Sequence, residues 1–204
     1  MRGAVAVRED VRELILDATE RLLVRYGYAK MTMDDLAREV GVGKGTLYLH
    51  FASKEEVVLS RIDRIVAQIV GELRAIAARK RDAGARLREM LAARVLLRFD
   101  RARGYAQSMD AMLAAIRPGL LARREKHFAA EAAVFQELLE EAARDGTFRV
   151  ANPAAAAQAL LIATNALLPY SLTARQLGSR RAIEERVSTL ATLLVDGLRS
   201  RRKS

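Results

Sequence analysis

The chain has 204 residues, 51% hydrophobic and 29% charged, which excludes a wholly disordered protein and allows one ordinary domain plus a small module. Charged residues interrupt its apolar runs and its first residues lack a secretory pattern, so we expect a cytoplasmic protein without a membrane partner. The absence of cysteine excludes disulfides and thiolate catalysis. Because only two histidines are present, we expect neither a metal nor a cofactor. The formal net charge of +10 does not locate a nucleic-acid site, because residues 1–55 hold nine basic and nine acidic side chains.

Three short helices are predicted at the start of the chain. The first ends at Gly27, and its apolar positions recur at three- and four-residue steps: Val11, Leu14, Ile15, Ala18, Leu22 and Tyr26. Thr32, with Asp35 three positions later, predicts the N-cap of a second helix that ends at Gly41. A third helix, from about Lys44 to His50, follows the sharp turn that this glycine permits.

The rest of the chain is predicted to be helical throughout. Ser53 and Glu56 form a second capping signal, which begins a long helix that extends to about Lys80. We expect helix breaks at or near Asp82-Ala83-Gly84, Arg103-Gly104, Pro118-Gly119, Asp145-Gly146, Asn152-Pro153 and Gly178-Ser179. These breaks give about nine helices, so the predicted fold class is all-α.

Residues 15–57 resemble the DNA-binding module of the tetracycline-repressor (TetR) family of bacterial regulators. The resemblance rests on Ile15-Leu16-Asp17-Ala18, Tyr26-Gly27-Tyr28, Thr32-Met33-Asp34-Asp35-Leu36-Ala37, Gly41-Val42, Lys44-Gly45-Thr46-Leu47-Tyr48, Phe51 and Ser53-Lys54-Glu55-Glu56. Gly43 departs from the pattern, since the family often has serine at this helix cap, but glycine remains an acceptable N-cap. The resemblance implies a three-helix helix-turn-helix domain over residues 8–52 and a helical effector-binding and dimerisation domain over residues 53–204.

The third helix has the side chains that a DNA-reading helix requires. In a helix-turn-helix, the exposed side of the second helix donates to bases and phosphates, while the inner side stays apolar. No acidic residue lies between Glu39 and Glu55, so this segment would approach phosphates without repulsion. The inner side is expected to hold Val42, Leu47 and Phe51. The candidate DNA-binding residues are Thr32, Lys44, Gly45, Thr46, Tyr48, His50 and Lys54.

These candidates have different expected roles. Thr32 and Lys54 lie at helix starts, where backbone N–H groups favour a phosphate, so we expect them to position the DNA. The resemblance implies phosphate contacts at Tyr48 and Lys54, and base contacts at Lys44 and Thr46. For each residue an alternative stays open. Tyr48 would cover the first helix, and Thr32 would only cap the second helix. Lys54 would be a solvated charge, and His50 would pack against the next helix.

The last two helices are predicted to form a homodimer. Asn152 and Pro153 begin a strongly apolar helix. One side of the final helix repeats Ile183, Val187, Leu190, Leu194 and Leu198. Such apolar helices are typical of a two-fold four-helix bundle, which would also match the symmetry of an operator. The alternative is that both helices are buried within one subunit.

The middle helices contain candidate residues for a small-molecule site. The candidate ligand-binding residues are Phe99, Tyr105, Met109, Met112, His127, Phe128 and Asn165, accompanied by Ile116, Phe135 and the polar Gln158. The alternative is that these side chains form an ordinary helical core. His127 and Glu131 lie one helical turn apart, but neither a nucleophile nor an orienting group accompanies them, so we do not expect an enzyme.

The sequence therefore predicts a ligand-responsive, DNA-binding transcriptional regulator. Its expected partners are double-stranded operator DNA, a second copy of the chain, and a small, mainly apolar effector that releases a repressor from the DNA. The long helix that begins at Ser53 is the expected route from effector to DNA. The alternative is a DNA-binding protein without a small-molecule ligand.

Overall fold

The computed structural model describes residues 2–172, 176 and 178–199, with side chains from Asp10 onward. Its helices are α1 (Arg2–Lys30), α2 (Met33–Val40), α3 (Lys44–His50), α4 (Lys54–Ala77), α5 (Ala83–Ala102), α6 (Met109–Arg144), α7 (Pro153–Asn165) and α8 (Arg180–Leu198). Short 3-10 helices span Arg103–Ser108 and Pro169–Ser171. Over these residues extended pairing is limited to one isolated bridge, between Phe148 and Arg199. The predicted all-α fold class is confirmed.

Capping residues fix several helix ends where the sequence predicts them. At Gly27, the predicted end of the first helix, the backbone departs from helical geometry with a positive φ of 73°, and α1 then continues to Lys30. The Asn152 side chain accepts a hydrogen bond from Ala155 N at 3.0 Å, and proline follows at the first position of α7. Ser179 accepts one from Ala182 N at 3.2 Å and begins α8. Each side chain satisfies a backbone donor that the first turn would otherwise leave unpaired.

The predicted break at Pro118 and Gly119 is wrong, because α6 continues through both residues from Met109 to Arg144. Proline removes a backbone donor and crowds the preceding turn, at a typical cost of about 3 kcal/mol within a helix. Buried side chains before and after the proline hold this helix together, including Ile116 at 1% exposure and the fully buried Phe135. Tertiary packing overrides the local preference here, so the division into about nine helices is not matched.

Helix α4 ends at Ala77, earlier than the predicted end near Lys80. The buried side chain of Arg86 accounts for the difference. Its Nη1 donates to Ala77 O at 2.6 Å, and its Nη2 donates to Glu141 Oε1 at 2.6 Å. A guanidinium at the carboxyl end of a helix satisfies a terminal carbonyl and opposes the helix dipole.

The chain forms two compact units. The first takes its residues from 1–65 and 103–122, and the second from 66–102 and 123–204. Each unit therefore combines segments that are distant in sequence. The functional division at residue 52 stays a prediction.

The core of the first unit is made by one side of α1 together with α2 and α3. The apolar side chains that this core buries include Ile15, Leu16, Ala18, Leu22, Leu23, Met31, Leu36, Ala37, Leu47 and Phe51. The predicted inner side of α1 is wrong at Leu14 and Tyr26, which are 52% and 46% exposed. Thr19 is buried instead, and its hydroxyl donates to Ile15 O at 2.7 Å. That bond satisfies the polar group and permits its burial.

In the second unit, α5 packs along α8. The buried positions of α8 recur every four residues: Ile183, Val187, Ala191 and Val195. Of the residues on the apolar side predicted to face a second copy, Ile183 and Val187 are instead buried within the subunit. Leu190 and Leu194 are half-buried, and Leu193 is 69% exposed. The side of α8 that packs within the subunit is therefore rotated away from the leucines.

No helix in the described ranges is long and apolar enough to cross a membrane. In the part of the chain that the structure describes, no group of three or more histidine, aspartate or glutamate side chains is placed so that it could hold a metal ion.

Candidate nucleic-acid interface

A glycine turn joins α2 to α3 and sets the direction of the second of these helices. Gly41 has a left-handed backbone, with φ 77° and ψ 30°. Its N–H donates to Arg38 O at 3.3 Å, and Val42 N donates to Ala37 O at 3.0 Å. This pair of bonds is a Schellman motif, which requires the positive φ that glycine adopts without strain. The helix-turn-helix geometry thus follows directly from the Gly-Val pair.

At the other end of α2, Thr32 and Asp35 form a complete capping box. Thr32 Oγ1 accepts from Asp35 N at 3.1 Å and donates to Asp35 Oδ2 at 2.6 Å, while Thr32 N donates to the same oxygen at 3.1 Å. The hydrogen bonds from Thr32 hold the pKa of Asp35 below its ordinary value. The predicted cap is confirmed. In this structure the exposed Thr32 hydroxyl serves the helix, so a phosphate contact there is an additional role.

Helix α3 has one buried and one exposed side. Leu47 is fully buried, and Phe51, just beyond the helix, is 2% exposed. Of the predicted DNA-binding residues on this helix, Lys44, Gly45, Thr46 and Tyr48 are exposed, and His50 is half-buried. Tyr48, at 53% exposure, has a large part of its ring in solvent. The structure therefore brings these predicted side chains together on one helix of less than two turns.

Sequence reasoning missed Leu49, which is 72% exposed. An apolar side chain with this exposure on a groove-reading helix is suited to contact with a thymine methyl group. The available signal was its position, since Leu49 follows the buried Leu47 by two residues. Two residues correspond to about 200° around a helix, the side away from the core.

An ion pair joins α3 to α2. Lys44 Nζ lies 2.5 Å from Asp34 Oδ2, and both side chains are largely exposed. The predicted base-contacting ammonium is therefore next to a carboxylate in the absence of DNA. At this exposure the pair contributes little to stability, about 0–1 kcal/mol. Its larger effect is on the local charge that DNA would meet.

Lys54 is held against Tyr28. Its Nζ donates to Tyr28 O at 3.1 Å and lies 4.2 Å from the centre of the Tyr28 ring. The buried Tyr28 hydroxyl donates to Glu55 Oε1 at 2.9 Å, and burial is the main reason that its pKa is raised. Lys54 is half-buried, so it is a positioned cation and not a mobile solvated one. This fixed position at the start of α4 is compatible with a phosphate contact.

The glycines at the start of α3 are not required by the backbone. Gly43 is the N-cap, with an extended backbone (φ −68°, ψ 151°) and no side-chain cap. A Cβ atom added at Gly43 or at Gly45 would meet nothing within 4 Å. Both positions would therefore accept a larger residue in the isolated protein. Their lack of a side chain leaves the helix terminus accessible to a ligand.

Comparison with known proteins agrees with this geometry. Residues 15–60 match the model of the tetR family of bacterial regulatory proteins. The HTH-type transcriptional regulator EthR of Mycobacterium tuberculosis H37Rv is 45% identical over 60 residues, 29% of this chain and 28% of that protein. EthR of Mycolicibacterium smegmatis is 38% identical over 65 residues, 32% of this chain and 30% of that protein. Residues 15–60 therefore belong to the TetR family.

Solved structures extend the likeness beyond the matched module. A TetR-family structure from Mesorhizobium loti has a TM-score of 0.71 at 16% identity and covers 95% of this chain and 98% of that one. A transcriptional regulator from Cytophaga hutchinsonii has a TM-score of 0.76 at 20% identity, with 92% and 98% covered. At these identities the likeness shows a TetR-like fold alone. The chain matches 22%, 30% and 35% of the length of three curated relatives, the first of them YerO of Bacillus subtilis.

The predicted effector residues are divided between the two units. Tyr105, Met109 and Met112 are buried in the first unit, and Phe99 is buried in the second. His127, Phe128 and Asn165 are half-buried in the second unit. Two surface depressions, of about 640 and 590 Å³, contain none of these residues. A single effector site made from this set stays a prediction.

Proposed function

We propose that the chain is a transcriptional regulator that binds operator DNA through α3. The observation that carries the proposal is the arrangement of Lys44, Thr46 and Tyr48, exposed on a helix that is fixed from below by the buried Leu47 and Phe51. A rigid support is what a base-reading helix needs, because groove contacts require side chains held in register. The family match over residues 15–60 supports the same function.

In this proposal the contacts divide into two classes. Lys44 and Thr46, in the first turn of α3, donate to base edges, with Leu49 as an apolar contact. Tyr48 and Lys54 bind phosphates, where the fixed ammonium of Lys54 orients the module on the backbone. Gly45 permits close approach of the helix to the groove.

We further propose that the functional form is a homodimer that associates through α7 and α8. Ile162 on α7 is 66% exposed and Leu193 on α8 is 69% exposed, which is costly for large apolar side chains. The α8 surface also contains an open groove of about 590 Å³, lined in part by Leu190 and Leu193. A second copy of the same helices would cover these residues, and a two-fold dimer matches the symmetry of paired DNA half-sites.

The regulator is proposed to act as a repressor that a small effector releases from DNA. The support is that α5 and α6 each contain buried aromatic and methionine side chains, the material from which helical proteins make ligand sites. The competing function is a DNA-binding protein that has no ligand. A thermal-shift screen separates them, because a ligand at one hundred times its Kd adds about 2.7 kcal/mol to the free energy of unfolding.

The decisive experiment is to incubate the purified chain with fragmented DNA from its own genome and to sequence what it retains. We expect enrichment of a few sites with two-fold related half-sites, and loss of that enrichment for the double variant Lys44→Ala, Thr46→Ala. Retention without any enriched sequence in the unmodified chain would refute the proposed function.

A further inference from the structure

The second unit contains a buried cluster of charged side chains that DNA binding does not use. Arg94 on α5 is fully buried, and Glu131 on α6 is 1% exposed. Arg94 Nε donates to Glu131 Oε2 at 2.6 Å, and Arg98 Nη2 donates to Glu131 Oε1 at 2.5 Å. Two guanidinium groups therefore share a single carboxylate.

The remaining bonds of Arg94 are to neutral groups. Its Nη1 donates to Thr164 Oγ1 at 2.7 Å, and its Nη2 donates to Asn165 Oδ1 at 2.8 Å. Arg98 Nη1 donates to the Arg94 carbonyl at 2.9 Å. Because arginine stays protonated in proteins, these three ionised groups carry one surplus positive charge. A charge without a counterion is unfavourable away from water, so the cluster favours an anion.

The cluster continues from the interior towards the surface. Phe128, half-buried on α6, lies 5.8 Å from the Arg94 guanidinium and 5.1 Å from that of the exposed Arg124. The Tyr170 hydroxyl donates to Asn165 Oδ1 at 3.4 Å, and it lies within electrostatic reach of all three arginines and of Glu131. Cationic and aromatic groups therefore lead from solvent to the buried pair.

We propose that this cluster binds the carboxylate of an amphipathic effector, with Arg98 as the main contact and Phe128 beside the apolar part. This replaces the mainly apolar effector expected from the sequence by an acidic one. That the acid would release the protein from DNA rests on the proposed function, whereas binding of the acid itself does not. Arg98 is better placed than Arg94 because its side chain is 10% exposed, while Arg94 is sealed by the protein. Its bonds to Glu131 and Arg94 use two of its five N–H donors.

The test uses the purified full chain with benzoate, octanoate and decanoate, each compared with its primary amide. We expect at least one acid to raise the melting temperature while the amide of the same chain leaves it unchanged, since binding to the folded state stabilises it. Calorimetry should then show that Arg98→Gln weakens binding of that acid by about tenfold, the usual effect of one charge-assisted hydrogen bond. Affinity for the amide should not change.

Two further variants keep the result interpretable. Arg98→Lys restores the charge and should recover part of the lost affinity, and it replaces Arg98→Gln if the latter does not fold. Arg101→Gln is the matched control, because Arg101 is exposed on the same helix and donates to Gln68 at 3.2 Å. It should bind the acid like the unmodified chain.

The proposal would be overturned if each acid and its amide had the same effect, or if neither had any effect. It would also be overturned if the Arg98 variants bound the acid with unchanged affinity. Failure of the proposed regulator function is seen separately, because retention of genomic DNA by the ligand-free chain does not involve these residues.

Discussion

Asp34 on α2 holds the ammonium group of Lys44 on α3, with 2.5 Å between Oδ2 and Nζ. DNA in the major groove would compete with this carboxylate for the lysine. In the proposed complex, Asp34 would weaken non-specific attraction to phosphates, while a correctly placed base acceptor would still recover the bond. We therefore expect the pair to favour discrimination between sequences over simple affinity.

This relationship gives the first prediction. Lys44→Ala should change the preference among operator variants, because a base contact is worth about 1–3 kcal/mol of discrimination. Asp34→Asn should raise affinity for all DNA, and more for non-specific DNA than for the operator, so the preference among sequences should become smaller. Fluorescence anisotropy on a set of single-base operator variants measures both. A Lys44→Ala protein that loses affinity equally on every variant would show that Lys44 contacts phosphate.

Lys54→Ala should weaken binding about equally on all DNA sequences and make the salt dependence shallower by about one unit, as expected for one lost phosphate contact. Because Lys54 also contacts Tyr28, the melting temperature of the Lys54→Ala protein must be measured together with its DNA affinity. Lys30→Ala, which removes an exposed lysine from the end of α1, is the control for net charge. A loss confined to the true operator, with an unchanged salt slope, would contradict the phosphate assignment.

The open glycines provide a matched pair of variants. Gly43→Ser should raise stability by about 0.3 kcal/mol through a new N-cap and leave DNA binding intact. Gly45→Ala should also raise stability, by about 0.5 kcal/mol, but should weaken operator binding because its methyl group meets the groove. Urea unfolding and anisotropy measure the two effects. Full operator affinity in Gly45→Ala would place α3 farther from the bases than we propose.

The proposed dimer predicts that Leu193→Asp and Ile162→Asp give folded monomers that bind operator poorly. Leu193 is a better probe than Leu190 or Leu194, because those two are half-buried within the subunit and their replacement would also disturb folding. Leu14→Asp is the control, since Leu14 is 52% exposed but lies in the first unit. Sedimentation that finds dimers for both the Leu193 and Ile162 variants would locate the interface elsewhere.

If an effector releases the repressor, operator DNA must weaken effector binding by the same factor, typically about 5- to 150-fold. The measurement is calorimetry of an identified ligand with and without saturating operator. Equal affinities would refute induction, and tighter binding on DNA would make the ligand a corepressor.

Local chemistry explains which parts of the fold were predictable. Thr32 and Gly41 act on backbone groups within a few residues, so the sequence alone predicts the ends of α2 correctly. Packing decides the rest. The sequence offers leucine at positions 14 and 16, and only the arrangement of α1 against its neighbours determines that Leu16 is buried. Continuity of α6 through Pro118 likewise depends on distant contacts.

The candidate site was predictable to a similar extent. The exposed residues of α3 follow from the motif, because its spacing fixes which residues lie on one side of a helix. The ion pair between Asp34 and Lys44 crosses a turn whose geometry must be known first. The Arg94 and Glu131 pair joins residues 37 positions apart and leaves no periodic signal.

The first unit includes residues 103–122 as well as residues 1–65, which bears on the construction of chimaeric biosensors. These two segments meet closely at Gly27 and Gly104. A Cβ atom added at Gly27 would lie 3.1 Å from Ser108, and one added at Gly104 would lie 3.0 Å from Val24. Arg61, which is buried at 1% exposure, also donates to Tyr105 at 3.1 Å. A graft that exchanges only the helix-turn-helix would pair these surfaces with foreign partners. Designers who want to transplant the DNA specificity of this protein should move both segments together.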